Sequence, residues 1–128
     1  MSNPIVFIST HKIKEGKLDA FKERNKEVAS FLKENKPGTV AFLTYLNENE
    51  TEVSLVHIFP DAESMELHMQ GVGERAKDSN ELLEFRRHEV YGKPRDKVLQ
   101  MMKQASGPGV TVSVRPENIG GYIRPESG

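Results

Sequence analysis

The spacing of apolar residues changes several times along the chain, and each change marks an element. Ile5-Val6-Phe7-Ile8-Ser9-Thr10-His11-Lys12-Ile13 is rich in β-branched and aromatic residues and predicts a strand. Its start is apolar on both faces, with Ile5 and Phe7 on one and Val6 and Ile8 on the other, so it should be covered on both sides. Over residues 16–35 the spacing becomes helical. Leu18, Phe21, Val28, Ala29 and Leu32 form one stripe, charged residues fill the opposite side, and Asn25 is a polar residue inside the stripe. Lys36-Pro37-Gly38 ends that helix. Residues 39–46 and 53–59 are β-type runs on either side of Asn47-Glu48-Asn49-Glu50, which predicts an antiparallel hairpin.

Pro60-Asp61-Ala62-Glu63 reads as a helix start, with Asp61 placed to accept from the free N–H groups of the first turn. Ala62, Met65, Met69, Val72 and Ala76 continue at helical spacing, and Gly71 and Gly73 predict a bend or break. Residues 80–91 are ambiguous. A strand over 85–91, ending at Gly92, completes the pattern better than a longer helix. Pro94 suits a first helical position, Val98, Met101, Met102 and Ala105 share one face, and Ser106-Gly107-Pro108-Gly109 stops this last helix. Residues 110–114 alternate as a strand, 120–124 suggest a last short extended piece, and 125–128 should fray.

The order strand, helix, strand, strand, helix, strand is the ferredoxin-like βαββαβ arrangement, here with an extra C-terminal helix and strand, in an α+β chain. Both helices of such a unit lie on one sheet face. Strands that are apolar on both faces then need a cover for the other, and a second copy of the chain is the simplest one. A homodimer with sheets packed face to face follows.

Composition narrows the function. A length of 128 residues fits one domain. The absence of cysteine removes disulfides, thiolate–zinc sites and cysteine nucleophiles. Eighteen basic against nineteen acidic residues, a net charge of −1, argue against nucleic-acid binding through a general positive field. No apolar run approaches a membrane span, and Met-Ser-Asn-Pro has no features of a secretory signal, so the expected compartment is the cytoplasm.

Residues 53–75, with Phe59-Pro60-Asp61-Ala62-Glu63 leading to His68, resemble the core of the antibiotic-biosynthesis-monooxygenase domains, and Gly16-Lys17-Leu18 after the opening strand is similar to theirs. The resemblance covers about residues 4–91 of a single 1–128 domain and leaves about 92–124 as an extension. It implies a dimeric α+β barrel and, as activities, cofactor-free oxygenation of aromatic polyketides and quinols, with haem degradation in one branch. That branch uses an asparagine in the first strand and a tryptophan at a helix position close to His68. This chain has no tryptophan and carries Ser9 or Thr10 at the strand position, so no cofactor is expected.

His68 is the first candidate for chemistry. It sits at the edge of the second helix stripe, could reach a pocket between helix and sheet, and could take a proton at neutral pH. The resemblance implies a histidine commonly present there. The plain alternative is a half-buried helix histidine bonded to a carbonyl. Ser9 and His11 share a strand face with Ile5 and Phe7 and form either a pocket rim or a strand end in solvent. Asn25 either lines a cavity or bonds a polar neighbour in the core. His57 shares a face with Val53, Leu55 and Phe59, while Tyr45 alternates with Leu43 and Ala41. Both could hydrogen-bond a phenolic ligand or pack at a dimer interface. No HxxxH, HxH or HExxH spacing occurs, so no metal is expected. Gly71-Val72-Gly73 lacks the Gly-Lys-Ser/Thr of a phosphate loop, Arg86-Arg87-His88 reads as a solvated face, and the methionines read as core.

Two classes of function remain. One is a cofactor-independent monooxygenase acting on a small aromatic or quinol, with His68 as base and Ser9, His11, Asn25, Tyr45 and His57 as substrate contacts. The other is a non-catalytic dimeric module that binds a small molecule or serves as a scaffold. A deep cavity between helices and sheet favours the first, and a pocket filled by Phe21, Met65 and Met69 favours the second. Haem binding is a third, weaker reading. An RNA-recognition module has the same element order, but Val53-Ser54-Leu55-Val56-His57-Ile58-Phe59 is too apolar for an open RNA-binding face.

Overall fold

The structure, a computed structural model, describes residues 3–106 and 110–124, with backbone only at 73–76, 105 and 106. The sequence expectations for Ala76, Ala105, the helix stop at 107–109 and the tail at 125–128 fall outside the described residues or side chains.

The elements run β1 (Ile5–Ile13), α1 (Leu18–Asn35), β2 (Ala41–Leu46), β3 (Glu52–Phe59), α2 (Ala62–Met69), α3 (Val72–Asn80), β4 (Leu83–Tyr91), α4 (Asp96–Ser106) and β5 (Thr111–Arg115). The sheet order is β2-β3-β1-β4-β5. The first four strands pair antiparallel in the ferredoxin-like order, and β5 adds parallel to β4 at the edge. Among the described residues no helix is long and apolar enough to cross a membrane.

Local chemistry sets the boundaries. The Asn47 side chain accepts from the Thr51 and Glu52 N–H groups at 2.8 and 2.9 Å, closing the β2–β3 turn. Asp61 caps α2 by accepting from Ser64 N–H at 2.8 Å. The expected break falls at Gly71, whose φ of 79° starts α3 in a conformation that suits glycine. Lys36, just past α1, donates from Nζ to the Leu67 and Gln70 carbonyls, satisfying the C-terminal end of α2. α4 begins at Asp96 rather than at Pro94, with the Arg95 carbonyl accepting from Val98 and Leu99. Residues 120–124 form no strand.

Register assigns the sheet faces. Phe7, Ser9 and His11 of β1 pair with His57, Leu55 and Val53 of β3, and these residues face the helices. The opposite face carries Val6, Ile8, Val56 and Ile58, all half-buried, together with Leu43 and Tyr45 of β2, which are 45% and 59% exposed. The helix-side interior contains two separate apolar clusters. One gathers Ile5, Phe7, Phe59, Met65, Met69, Val90, Val98 and Met102; the other gathers Ile13, Phe21, Val53 and Leu83. Between them the strand centres carry Ser9, His11, His57 and His88, all buried. Burial there brings polar rings inward instead of completing one continuous core.

Candidate active site

The gap between the two clusters is a cavity of about 340 Å³. That volume lies in the usual range for small-molecule sites. It is roughly twice the ~150 Å³ apolar void known to admit benzene, which suits a ligand of a few fused or linked rings. All four helices contribute to its walls, through Phe21 and Asn25 of α1, His68 and Met69 of α2, Val72 of α3, and Met101 and Met102 of α4. The sheet supplies Phe7, Ser9, His11, Phe42, Leu55, His57, Phe85 and His88. All four histidines of the chain therefore line one apolar space.

The sheet floor is a row of stacked rings. His57 lies 5.1 Å from Phe7 at 21°, and Phe7 lies 5.4 Å from His88 at 7°. Phe59 continues the row beyond His57, and Phe85 continues it beyond His88. His68 meets this floor edge-on, 4.9 Å from His57 and 5.1 Å from Phe59. Its Nδ1 lies 2.8 Å from Thr39 Oγ1. If Nδ1 carries the proton and donates to the hydroxyl, the lone pair is on Nε2, the tautomer a base requires. Gly38 makes this pairing possible. A side chain there would sit 2.8 Å from the Ser64 Cβ, so only glycine lets the loop before β2 press against α2 and present Thr39.

Of the expected contacts, Ser9, His11, Asn25, His57 and His68 meet in the cavity. The Ser9 hydroxyl lies 3.1 Å from His11 Nε2 in a buried pair. His57 Nδ1 is 3.4 Å from the Phe7 carbonyl, a long contact for a hydrogen bond. Asn25 accepts from Thr44 Oγ1 at 3.0 Å, which leaves its amide NH2 to donate. Tyr45 is not brought to the site. It follows Thr44 on the opposite face of β2 and is 59% exposed. Burial holds the His11 imidazole at about 4, with further lowering from His88 and His57, and burial lowers His88 as well. Both rings are neutral at physiological pH, and the cavity gains no fixed positive charge from them. Among the described residues no group of three or more His, Asp or Glu side chains could hold a metal ion.

His88 is the cavity residue that sequence reasoning misses, because Arg86-Arg87-His88 has the composition of a solvated basic face. A bulge is the structural reason. His11 pairs with Phe85 and Thr10 with Arg87, so Arg86 is an extra residue that shifts the alternation and turns both Phe85 and His88 inward. Of the α4 methionines expected in the core, Met102 is buried whereas Met101 is 37% exposed, and both wall the cavity.

A helix-backed, mostly antiparallel sheet with an apolar, histidine-lined cavity defines a ferredoxin-like domain. The family model for antibiotic biosynthesis monooxygenases matches residues 4–78, and the chain belongs to that family. MupZ from Pseudomonas fluorescens superposes with a TM-score of 0.75 at 18% identity, covering 97% of each chain. SnoaB, a cofactor-independent oxygenase from Streptomyces nogalater, gives 0.60 at 14% identity, covering 73% of this chain and 96% of its own. A conserved protein from Methanosarcina mazei gives 0.61 at 16%, covering 70% of this chain and 91% of its own. These likenesses are of fold. No curated protein sequence gives a match.

Proposed function

We propose that this protein is a cofactor-independent monooxygenase acting on a small aromatic phenol or quinol, with His68 as the base. The observation that carries the reading is the convergence of all four imidazoles on one apolar cavity. A phenol bound there passes its proton to His68 Nε2. The resulting anion reduces molecular oxygen: one oxygen atom bonds to a ring carbon in place of its hydrogen, the other leaves as water, and the phenol is oxidised to the quinone, so the substrate is the reductant and oxygen the oxidant. The protein contributes a base, an apolar site and hydrogen bonds to the developing oxyanion, from Asn25 and from the His57 side of the floor. Family membership and the fold shared with SnoaB support the reading. An open cavity, with Phe21 and Met69 on its wall and Met65 packed in the core, favours it over a filled scaffold.

The same reading includes a homodimer formed through the sheet face opposite the helices. Val6, Ile8, Val56, Ile58, Leu43 and Tyr45 are the support for it, because a lone subunit leaves this apolar surface in contact with water.

Oxygen uptake with a panel of hydroquinones and naphthols, compared between wild type and His68→Ala, tests the chemistry. Loss of roughly 10²-fold or more in the variant is expected for removal of a general base. Equal rates would remove His68 from the mechanism, and no uptake by wild type on any substrate would remove the oxygenase.

A further inference from the structure

We propose that the C-terminal appendage closes a second subsite over β4, in which His88 hydrogen-bonds an oxygen on the far edge of the same aromatic ligand. The inference rests on the phenol-binding reading above and names the residue that selects among phenols.

The other three cavity histidines each have a hydrogen-bonding contact: His11 to Ser9, His57 to the Phe7 carbonyl and His68 to Thr39. His88 differs. It is held by stacking between Phe7 and Phe85, and its buried Nδ1 meets no hydrogen-bond partner among the described residues. A buried polar atom left unpaired is costly, and such atoms are rare in native interiors. No hydrogen bond selects either of the two ring orientations related by a half-turn about χ2, which exchange nitrogen and carbon at nearly constant shape. The stacking thus fixes the ring plane, and the half-turn about χ2 moves the unpaired nitrogen off its packed side without changing the stack. A neutral imidazole can both donate and accept, so a hydroxyl satisfies it.

The appendage supplies the opposite wall. Met101 and Met102 of α4 line the cavity with flexible, polarizable side chains that adapt to a ring. Gly92 fixes the hinge from β4 into this segment. Its φ is +114°, and a side chain there would meet the Pro4 carbonyl at 2.7 Å. In the ring row His57 and His88 lie on the two strands flanking β1, two strand spacings or roughly 10 Å apart. A ligand that gives one hydroxyl to the His57–His68 end therefore reaches His88 with an oxygen on its opposite edge.

The test compares 2-naphthol with 2,6-dihydroxynaphthalene, binding measured by ligand fluorescence under nitrogen. Wild type should prefer the diol by roughly three- to tenfold, the worth of one neutral hydrogen bond. His88→Phe should bind the two naphthols without preference. In wild type, the His88 ring nitrogens should shift in long-range ¹H–¹⁵N spectra with the diol and not with 2-naphthol, a readout that needs no variant. If both naphthols bind with no preference and His88 does not shift, the subsite is overturned while the phenol-binding reading stands. A preference retained in His88→Phe also overturns it. If neither naphthol binds, both readings fall.

Discussion

Acid should weaken this fold through its cavity before its surface carboxylates titrate. Folding holds His11 at about 4, chiefly by burial and further through His88 and His57, whereas an exposed histidine protonates near 6.5. Between those values the unfolded chain takes up a proton that the folded chain refuses. Stability therefore falls as pH drops below about 6.5 and stops falling, for this group, near pH 4. At 1.36 kcal/mol per pH unit, the gap between 6.5 and about 4 is worth about 3 kcal/mol. That is a large share of the ~5–15 kcal/mol that holds a typical domain together. His88 is lowered too and pulls the same way. Asp61, held below its ordinary 3.8 by Ser64, loses its contribution only at more acidic pH, so the windows are distinct. Urea unfolding followed by circular dichroism at pH 7, 6, 5 and 4 measures the effect in wild type and in His11→Asn, which retains a polar partner for Ser9 and cannot titrate. Wild type should lose about 2 kcal/mol more than the variant between pH 7 and 5. Parallel curves would show that burial does not hold the His11 imidazole neutral.

Replacing the unpaired imidazole in His88→Phe keeps the stack and removes an unsatisfied atom, so stability should rise by about 1 kcal/mol, read as an increased Tm. An unchanged or lower Tm contradicts the assignment of an unpaired buried nitrogen. Gly38→Ala should cost about 1–3 kcal/mol by pushing the β2 loop away from α2, and Ser64→Gly in the same chain should restore most of it. Additive losses in that double variant would mean the contact is not the cause. Leu43→Lys paired with Val56→Lys should shift sedimentation from dimer to monomer at micromolar concentration while the circular dichroism spectrum is kept. A wild type that is already monomeric refutes the interface.

The sequence made the strand and helix order legible because most elements bury only one clear face. The β1 alternation placed Ser9 and His11 with Phe7, and the β3 alternation placed His57 with Phe59. Both held because the β1–β3 register is unbroken from Ile5 to Lys12. Asn25 stood out because a polar residue interrupted an apolar stripe, and it does line the cavity. Two positions were illegible for physical reasons. In β2 the sets Ala41, Leu43, Tyr45 and Phe42, Thr44, Leu46 are about equally apolar, so alternation could not say which faces inward; Phe42 and Thr44 do. In β4 one extra residue, Arg86, breaks the period of two between Phe85 and His88, and a bulge leaves no signal in a single sequence. The wall built by α4 depends on a long-range docking that no local pattern encodes.

Because every histidine of the chain lines the cavity, a protein labelled with ¹⁵N only at histidine reports from that space alone. Long-range ¹H–¹⁵N spectra recorded under nitrogen, with and without saturating 2,6-dihydroxynaphthalene, put the whole scheme to trial. The ring nitrogens of His68 should move on ligand addition, with Nδ1 remaining the protonated position beside Thr39. A ligand that binds and leaves the His68 signals where they were would place the aromatic elsewhere, and the proposed base would have nothing to deprotonate.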